Sequence, residues 1–100
     1  MYWNITDEAR LIEAFKIASL NALTQIFLDD LLTKKEIQNC VMRLKAACML
    51  RDGATYKEIE EFTEFTSITI SKIAKIMKDK EGGFQKVLYK MNPDNEGYFE

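Results

Sequence analysis

Apolar residues recur at three- and four-residue intervals along most of the chain, which is the spacing of one face of an α-helix. Near the start, Leu11, Ile12 and Phe15 follow Thr6, a hydroxyl that can cap a helix whose first turn is acidic. We therefore predict a first helix from residue 6 to about residue 20 and a second over about 21–31. One proline and four glycines in 100 residues leave few interruptions, so the pattern predicts an all-α fold.

These first two helices are apolar around much of their circumference. The second carries its large apolar residues on more than one side; they are Leu23, Ile26, Phe27, Leu28 and Leu31. An apolar face this wide is usually buried against a partner.

Two capping boxes mark the next helix starts. Thr33 and Glu36 can exchange side-chain and backbone hydrogen bonds at the start of a long third helix, and Thr55 and Glu58 can do so at the start of a short fourth. The third helix is expected to end at Arg51-Asp52-Gly53, where glycine can take the left-handed conformation. The fourth is expected to run to about Phe62.

Residues 63–66 are expected to form a tight corner before a fifth helix, capped by Thr66 or Ser67 and running to about Lys80. Its inward positions are Ile70, Ile73, Ala74 and Met77. Its outward positions are Ser67, Ile68, Ser71, Lys72, Lys75 and Lys78. Gly82-Gly83 is expected to break this helix before a sixth over 84–91. Residues 92–100 are predicted to be a mobile acidic tail.

A short helix, a corner and a basic helix, over about 56–80, indicate a helix-turn-helix whose second helix enters the major groove of DNA. Ser67, Ile68, Thr69 and Ser71 would meet base edges, and Ile68 could lie against a thymine methyl. For each of these residues the alternative is an ordinary exposed side chain or, for Ser67 and Thr69, a helix cap.

Lysines and a tyrosine are the candidates for phosphate contacts. Lys72 and Lys75 could reach guanine or phosphate, and Lys78 is a weaker phosphate candidate. Tyr56 and Lys57 lie at the start of the fourth helix, whose N-terminus also favours phosphate. The alternative is that these lysines only solvate the helices.

The charge distribution favours this interpretation although the chain has a net charge of −2. Residues 1–66 are net −3 and residues 91–100 are net −3, whereas 67–90 hold six lysines against two acids. Positive charge is thus confined to the second helix of the motif and the segment directly after it, as DNA binding requires.

The sequence gives little sign of other chemistry. Cys40 and Cys48 fall about 12 Å apart on one helix, too far to pair, and are expected to be buried thiols in a reducing compartment. There is no histidine, so we expect no metal site and no catalytic residue. We see no signal peptide and no membrane-spanning run, and expect a cytoplasmic protein with no membrane partner.

Segments 53–59, 67–73 and 82–88 carry a resemblance to a known family. Gly-Ala-Thr-Tyr-Lys-Glu-Ile, Ser-Ile-Thr-Ile-Ser-Lys-Ile and Gly-Gly-Phe-Gln-Lys-Val-Leu resemble the Trp repressor superfamily, and more closely its YerC/YecD branch, over roughly residues 20–91. The resemblance implies a six-helix fold and an intertwined homodimer with two helix-turn-helix heads. It also implies a double-stranded operator with two half-sites about one helical turn apart.

The resemblance implies an effector pocket as well. Thr33 and Arg43 match two positions that surround tryptophan in the tryptophan-sensing members. An arginine-glycine pair there corresponds to Lys72 and Ile73, whose side chains do not suit an indole, so we expect no tryptophan corepressor and no other cofactor.

Two positions of the helix-turn-helix also depart from the family pattern. Glu60 stands where alanine is usual. Glu64 stands at a corner that favours glycine, where glutamate costs about 1 kcal/mol.

The sequence therefore predicts a single helical domain over residues 1–91 that acts as a homodimeric, sequence-specific DNA-binding transcriptional regulator, by its resemblance a repressor. The alternative is a helical dimerisation or protein-interaction module that keeps the fold but has little DNA affinity.

Overall fold

The computed structural model describes residues 6–91, and over that span the chain is helical with short connections. The helices are α1 (Asp7–Leu20), α2 (Thr24–Leu31), α3 (Lys34–Arg51), α4 (Tyr56–Thr63), α5 (Ser67–Met77) and α6 (Gly83–Met91). No strand occurs in this span, which confirms the all-α prediction. None of the six helices is long and apolar enough to cross a membrane.

The chain divides into two compact units, Met1–Gln38 and Asn39–Glu100, and the division falls inside α3. The single-domain interpretation of residues 1–91 stays a prediction. The predicted acidic tail, residues 92–100, lies outside the described residues.

In the N-terminal unit, α1 and α2 meet through one aromatic pair. The rings of Phe15 and Phe27 pack edge to face, with centroids 5.2 Å apart and planes at 86°. Ala18 is the buried residue of α1, and α2 has none. Large apolar side chains of both helices are instead exposed: Leu11, Ile12, Ile17, Leu20, Leu23, Ile26 and Leu31.

The second helix begins at Thr24 rather than at residue 21, so its predicted start was wrong. The side-chain amide of Asn21 donates to the carbonyl oxygen of Ile17 at 2.8 Å and closes α1. Ala22 then takes φ 58°, in the left-handed region, and the chain turns before α2 can start. The backbone N–H of Leu23 donates to the carbonyl of Ala18 at 2.8 Å and holds this turn.

The C-terminal unit has a continuous apolar core built from α3, α4, α5 and α6. Its buried residues are Ala46, Ala47, Cys48, Ile59, Ile70, Ile73, Met77 and Leu88. The share from α3 consists of small side chains, which lets larger ones from the other helices approach closely.

Only one of the two cysteines is buried in the single chain. Burial raises the pKa of the Cys48 thiol, with the charge of Arg51 acting weakly in the opposite sense. Cys40 is exposed, so the prediction that both are buried was wrong for this residue.

The end of α3 closes as predicted. Gly53 takes φ 86°, the backbone N–H of Ala54 donates to the carbonyl of Met49 at 2.9 Å, and that of Gly53 to Leu50 at 3.1 Å. This is a Schellman closure, which needs a left-handed residue and favours glycine there. The Arg51 guanidinium then donates to the carbonyl of Leu88 at 3.2 Å and ties the end of α3 to α6.

The fifth helix ends at Met77 rather than Lys80, with Lys78 as its cap. A turn follows in which the Asp79 carboxylate accepts the backbone N–H of Glu81 at 2.9 Å. The sixth helix starts at Gly83, and the side-chain amide of Gln85 donates to the carbonyl of Met77 at 2.5 Å. That bond holds the start of α6 against the end of α5.

Both predicted capping boxes are confirmed. The Thr33 hydroxyl accepts the N–H of Glu36 at 3.1 Å and the Glu36 carboxylate accepts the N–H of Thr33 at 2.8 Å. Thr55 and Glu58 exchange the same bonds at 3.2 and 2.9 Å. Accepting the threonine backbone N–H, and secondly its hydroxyl, lowers the pKa of each glutamate from the ordinary 4.5.

The charge on Glu58 should make the α4 capping box sensitive to acid. A carboxylate with a depressed pKa stabilises the folded state above its unfolded pKa of about 4.5, and this contribution is lost as pH falls through the folded pKa. Glu58→Gln keeps a capping side chain but does not titrate. The free energy of unfolding should therefore be higher for the wild type than for Glu58→Gln at pH 7. This difference should shrink as the pH falls below 4.5.

Chemical denaturation at several pH values measures this difference. Glu36→Gln, in the equivalent box of α3, should behave in the same way. A difference that grows as the pH falls would contradict the assignment.

Candidate nucleic-acid interface

A three-residue corner, residues 64–66, joins α4 to α5. Glu64 takes φ 63° and its backbone N–H donates to the carbonyl of Glu60 at 2.8 Å. Thr63 is buried; its hydroxyl donates to the carbonyl of Ile59 at 2.7 Å and accepts the N–H of Phe65 at 3.2 Å. Because Phe65 packs against the core, the corner is held on its inner side.

Thr66, rather than Ser67, caps α5. Its hydroxyl accepts the backbone N–H of Thr69 at 3.4 Å and lies 3.4 Å from the Thr69 hydroxyl. Thr69 is half-buried, and the Thr66 hydroxyl is the partner of its own hydroxyl. Ser67, in contrast, is exposed in the first turn.

The core fixes the rotation of α5. Ile70 and Ile73 are fully buried and Met77 nearly so, as the inward stripe predicted, with Ala74 half-buried. Successive residues turn by 100°, so the positions between these face away from the core. The exposed residues of α5 are Ser67, Ile68, Ser71, Lys72, Lys75 and Ile76, and the cap Lys78 is exposed as well. Ile76 was not among the outward positions predicted from the sequence. Ile68 is 68% exposed.

The three lysines of this surface have no acidic partner within residues 6–91. The ion pairs found in that span join Arg10 to Glu13, Arg51 to Asp52 and Lys86 to Glu81. The positive charge at the surface of α5 is therefore available to an external anion.

Tyr56 and Lys57 lie in the first turn of α4 and are both exposed, Tyr56 by 40%. The Glu58 carboxylate is taken up by the Thr55 cap of the same turn. Both side chains are thus placed where the partial positive charge of the helix N-terminus adds to that of a lysine.

Glu60 and Glu64 are the two departures from the expected motif. Glu60 is half-buried and takes part in none of the ion pairs found in the described span. Glu64 is exposed, so its carboxylate is solvated although its backbone is in the left-handed region.

The positions predicted to surround an effector have separate roles. Thr33, in the N-terminal unit, caps α3. Within the C-terminal unit, Arg43 is half-buried, Lys72 is exposed and Ile73 is fully buried in the core. A ligand contact with these residues stays a prediction. Residues 6–91 contain no group of three acidic or thiol side chains that could hold a metal ion.

A second basic surface was not predicted from the sequence. An open pocket of about 550 Å³ is lined by Lys80, Gln85, Lys86, Tyr89 and Lys90. The four-residue spacings within 85–90 place these side chains on one side of α6, which the sequence could have indicated. The contribution of Lys80 depends on the turn after α5 and could not be read from spacing.

Residues 6–91 form helices without strands and present a basic helix surface after a tight corner, which is the arrangement of a small helical DNA-binding regulator. The chain belongs to the Trp repressor family, because the family profile described as "Trp repressor protein" matches residues 8–92. This match extends the resemblance found over 20–91 toward the N-terminus. The family is one of non-enzymatic regulators.

Part of the chain is also similar to a curated protein. The chain is 54% identical over 37 residues to "Uncharacterized protein YerC" of Bacillus subtilis (strain 168). The aligned part is 37% of this chain and 36% of that protein, so the chain spans about a third of its relative's length. No solved structure matches the chain.

The left-handed corner should make Glu64→Gly stabilising. A non-glycine residue at positive φ costs about 1 kcal/mol, partly offset by the greater unfolded-state freedom of glycine. We therefore expect the free energy of unfolding to rise by up to about 1 kcal/mol. The matched control is Glu61→Gly, inside α4, which should lower it by about 1 kcal/mol. Urea denaturation distinguishes the two, and a loss of stability in both variants would contradict a strained corner.

Proposed function

We propose that this protein is a transcriptional regulator, acting as a repressor, that binds a specific double-stranded DNA operator as a homodimer. The α4–corner–α5 segment acts as a helix-turn-helix, with α5 in the major groove. Membership of the Trp repressor family supports DNA binding and regulation. The contacts with DNA are argued from the exposed residues of α4 and α5, and the homodimer from those of α1 and α2.

The observation that carries the proposal is the division of α5 into two faces. Ile70 and Ile73 are fully buried, while Lys72 and Lys75 are exposed and have no acidic partner in the described span. A helix whose inner face packs on the core, and whose exposed positions are mainly small polar and basic beside Ile68 and Ile76, fits the width of the major groove.

The exposed residues divide into two kinds of contact. Ser67, Ile68 and Ser71 lie in the first turns of α5 and meet base edges, with Ile68 against a thymine methyl. Lys72, Lys75 and Lys78 reach guanine or phosphates. Tyr56 and Lys57, at the N-terminus of α4, fix the position of the head on the backbone. Thr69 acts mainly through the cap because its hydroxyl is already partnered.

The homodimer is supported by the apolar surface of the N-terminal unit. Leu20 and Ile26 are 85% and 62% exposed, and five further large apolar side chains of α1 and α2 are exposed with them. Apolar surface of this extent marks an interaction site, and a second copy would cover it symmetrically. Two heads would then engage two half-sites.

We infer that the regulator does not respond to tryptophan. In the tryptophan-sensing members a glycine leaves room for the indole, whereas here Ile73 stands at that position and is fully buried. No cofactor enters the proposed function.

Glu60 and Glu64 favour one alternative, a dimerisation or protein-interaction module with little DNA affinity. Glu60 is half-buried at the position where the two helices of the motif are expected to touch, and Glu64 strains the corner. Both would loosen the α4–corner–α5 segment, which is the proposed reading head. The exposed lysines of α5 favour DNA binding, and an experiment on those lysines separates the two.

Lys72→Ala with Lys75→Ala should weaken binding to a duplex selected from a random DNA pool. Each lost lysine–phosphate contact removes about 0.9 from the slope of log affinity against log salt, and each dimer loses up to four. We expect affinity to fall by about 10²-fold near 0.1 M salt and the slope to flatten by about two to four. Fluorescence anisotropy at several salt concentrations measures both.

The matched control is Lys34→Ala with Lys35→Ala, which removes the same charge from the first turn of α3. Lysines there oppose the helix dipole, so their loss should not destabilise the fold. Equal effects of the two pairs, or no effect of either, would support the interaction module instead.

Ile26→Glu should dissociate the homodimer without unfolding the chain. Ile26 is exposed in the single chain, so a carboxylate costs little there but is expensive in a buried apolar interface. Sedimentation equilibrium should show two 11.6 kDa chains together for the wild type and one for the variant. Gln25→Glu, an exposed neighbour on α2, is the control of equal charge change and should stay dimeric. A monomeric wild type at micromolar concentration would exclude the proposed dimer.

A further inference from the structure

The basic pocket on α6 is a second surface that the proposed reading head does not use. Lys80, from the turn after α5, and Lys86 and Lys90, from α6, surround an open concavity of about 550 Å³. Gln85 and Tyr89 complete its lining, and no carboxylate is among the lining residues. That volume is within the range of small-molecule sites.

The positive charges of this pocket repel one another. Lys86 and Lys90 are four residues apart on one helix, where like charges destabilise it by some tenths of a kcal/mol. Lys90 gains from its place in the last turn of α6, near the negative helix end. Lys86 has an exposed partner, Glu81, at 2.9 Å, but Lys80 and Lys90 have none in residues 6–91. An anion in the pocket would relieve this repulsion.

The scaffold around the pocket is fixed rather than loose. Leu88 is fully buried and sets the rotation of α6. The Gln85 side chain is held by its bond to the carbonyl of Met77, and the Arg51 guanidinium holds the carbonyl of Leu88. The backbone positions that carry Lys86, Tyr89 and Lys90 are therefore fixed relative to the end of α5.

Tyr89 indicates the kind of anion. Its side chain is 64% exposed at the pocket, where its ring can stack on a base and its hydroxyl can donate to an oxygen. Ammonium groups beside an exposed aromatic ring suit a phosphate joined to an aromatic base. The pocket is also large enough for more than a bare phosphate.

We propose that the pocket formed by Lys80, Lys86, Tyr89 and Lys90 binds the phosphate of a nucleotide. The nucleotide is either free, as an effector, or part of a DNA strand flanking the segment read by α5. Lys80 and Lys90 contact the phosphate, Lys86 exchanges Glu81 for it, and Tyr89 contacts the base or sugar. The site is separate from the reading head, so the two can be tested separately.

The experiment compares Lys80→Gln with Lys90→Gln against Lys34→Gln with Lys35→Gln, which removes equal charge elsewhere, in the full chain. ADP and adenosine are the free probes in calorimetry and in amide NMR shifts. The DNA probe is the duplex selected from a random pool, with and without additional flanking base pairs. Tyr89→Leu is a second variant, which keeps every charge, and circular dichroism verifies that each variant is folded.

A free-nucleotide site requires that the wild type binds ADP and not adenosine, and that the Lys80/Lys90 variant binds ADP at least about tenfold more weakly while the control does not. A strand site requires no ADP binding, with an about tenfold loss on the flanked duplex that is absent on the trimmed one. Tyr89→Leu should weaken whichever probe binds.

The inference is overturned if the Lys80/Lys90 variant differs from the Lys34/Lys35 control with neither probe. Its failure is distinct from failure of the proposed function, which is decided by Lys72 and Lys75. Should the wild type bind no duplex at all, the ADP titration alone decides the inference, and an absence of ADP binding overturns it.

Discussion

The burial of Ile70 and Ile73 in the apolar core of the C-terminal unit is the constraint on which the functional surface depends. Ala46, Ala47 and Cys48 of α3 are fully buried in the same core. Once two positions one turn apart are fixed, the helical period fixes the direction of every other side chain. A rotation of α5 by one residue would bury an ammonium group without a partner, at a cost of several kcal/mol. The basic face is thus a consequence of core packing.

The two compact units have different relations to solvent. The C-terminal unit carries a core of its own, and side-chain bonds to backbone carbonyls, from Arg51 and Gln85, connect its helices beyond apolar contact. In residues 6–38, the described part of the N-terminal unit, Phe15 and Phe27 form one aromatic pair and Ala18 is buried, while most of the large aliphatic side chains are exposed. One unit can therefore hold a reading surface in place while the other supplies apolar area to a partner.

Features set by local chemistry were predictable from the sequence. The capping boxes at Thr33 and Thr55 and the closure at Gly53 depend on residues within five positions of each other, and all are confirmed. The rotation of α5 followed from the apolar period. The start of α2 was missed because Ala22 carries no signal for its left-handed conformation, which is imposed by the bonds around it.

Features set by tertiary geometry were not predictable. The lysines at 78 and 80 favour helix, yet α5 ends at Met77, where the Gln85 amide of α6 takes its carbonyl. The basic pocket was missed for the same reason, since Lys80 reaches it only through that turn. Cysteine is a residue type that is usually buried, but Cys40 is exposed, because burial depends on which elements pack around the helix. The functional roles of the site residues stay predictions, because an exposed, charged side chain fits both a DNA contact and an ordinary solvated surface.

The charge distribution has a consequence for how such a protein could find its site. Residues 67–90 carry the excess of lysine while the rest of the chain is acidic. Acids farther than about 8 Å from the DNA are screened at physiological salt, but those near it repel phosphates. Nonspecific affinity, which is almost wholly electrostatic, is therefore expected to be low. Discrimination then depends on the short side chains and Ile68 at the start of α5, and affinity on two heads bound to one duplex, where the first contact raises the effective concentration of the second.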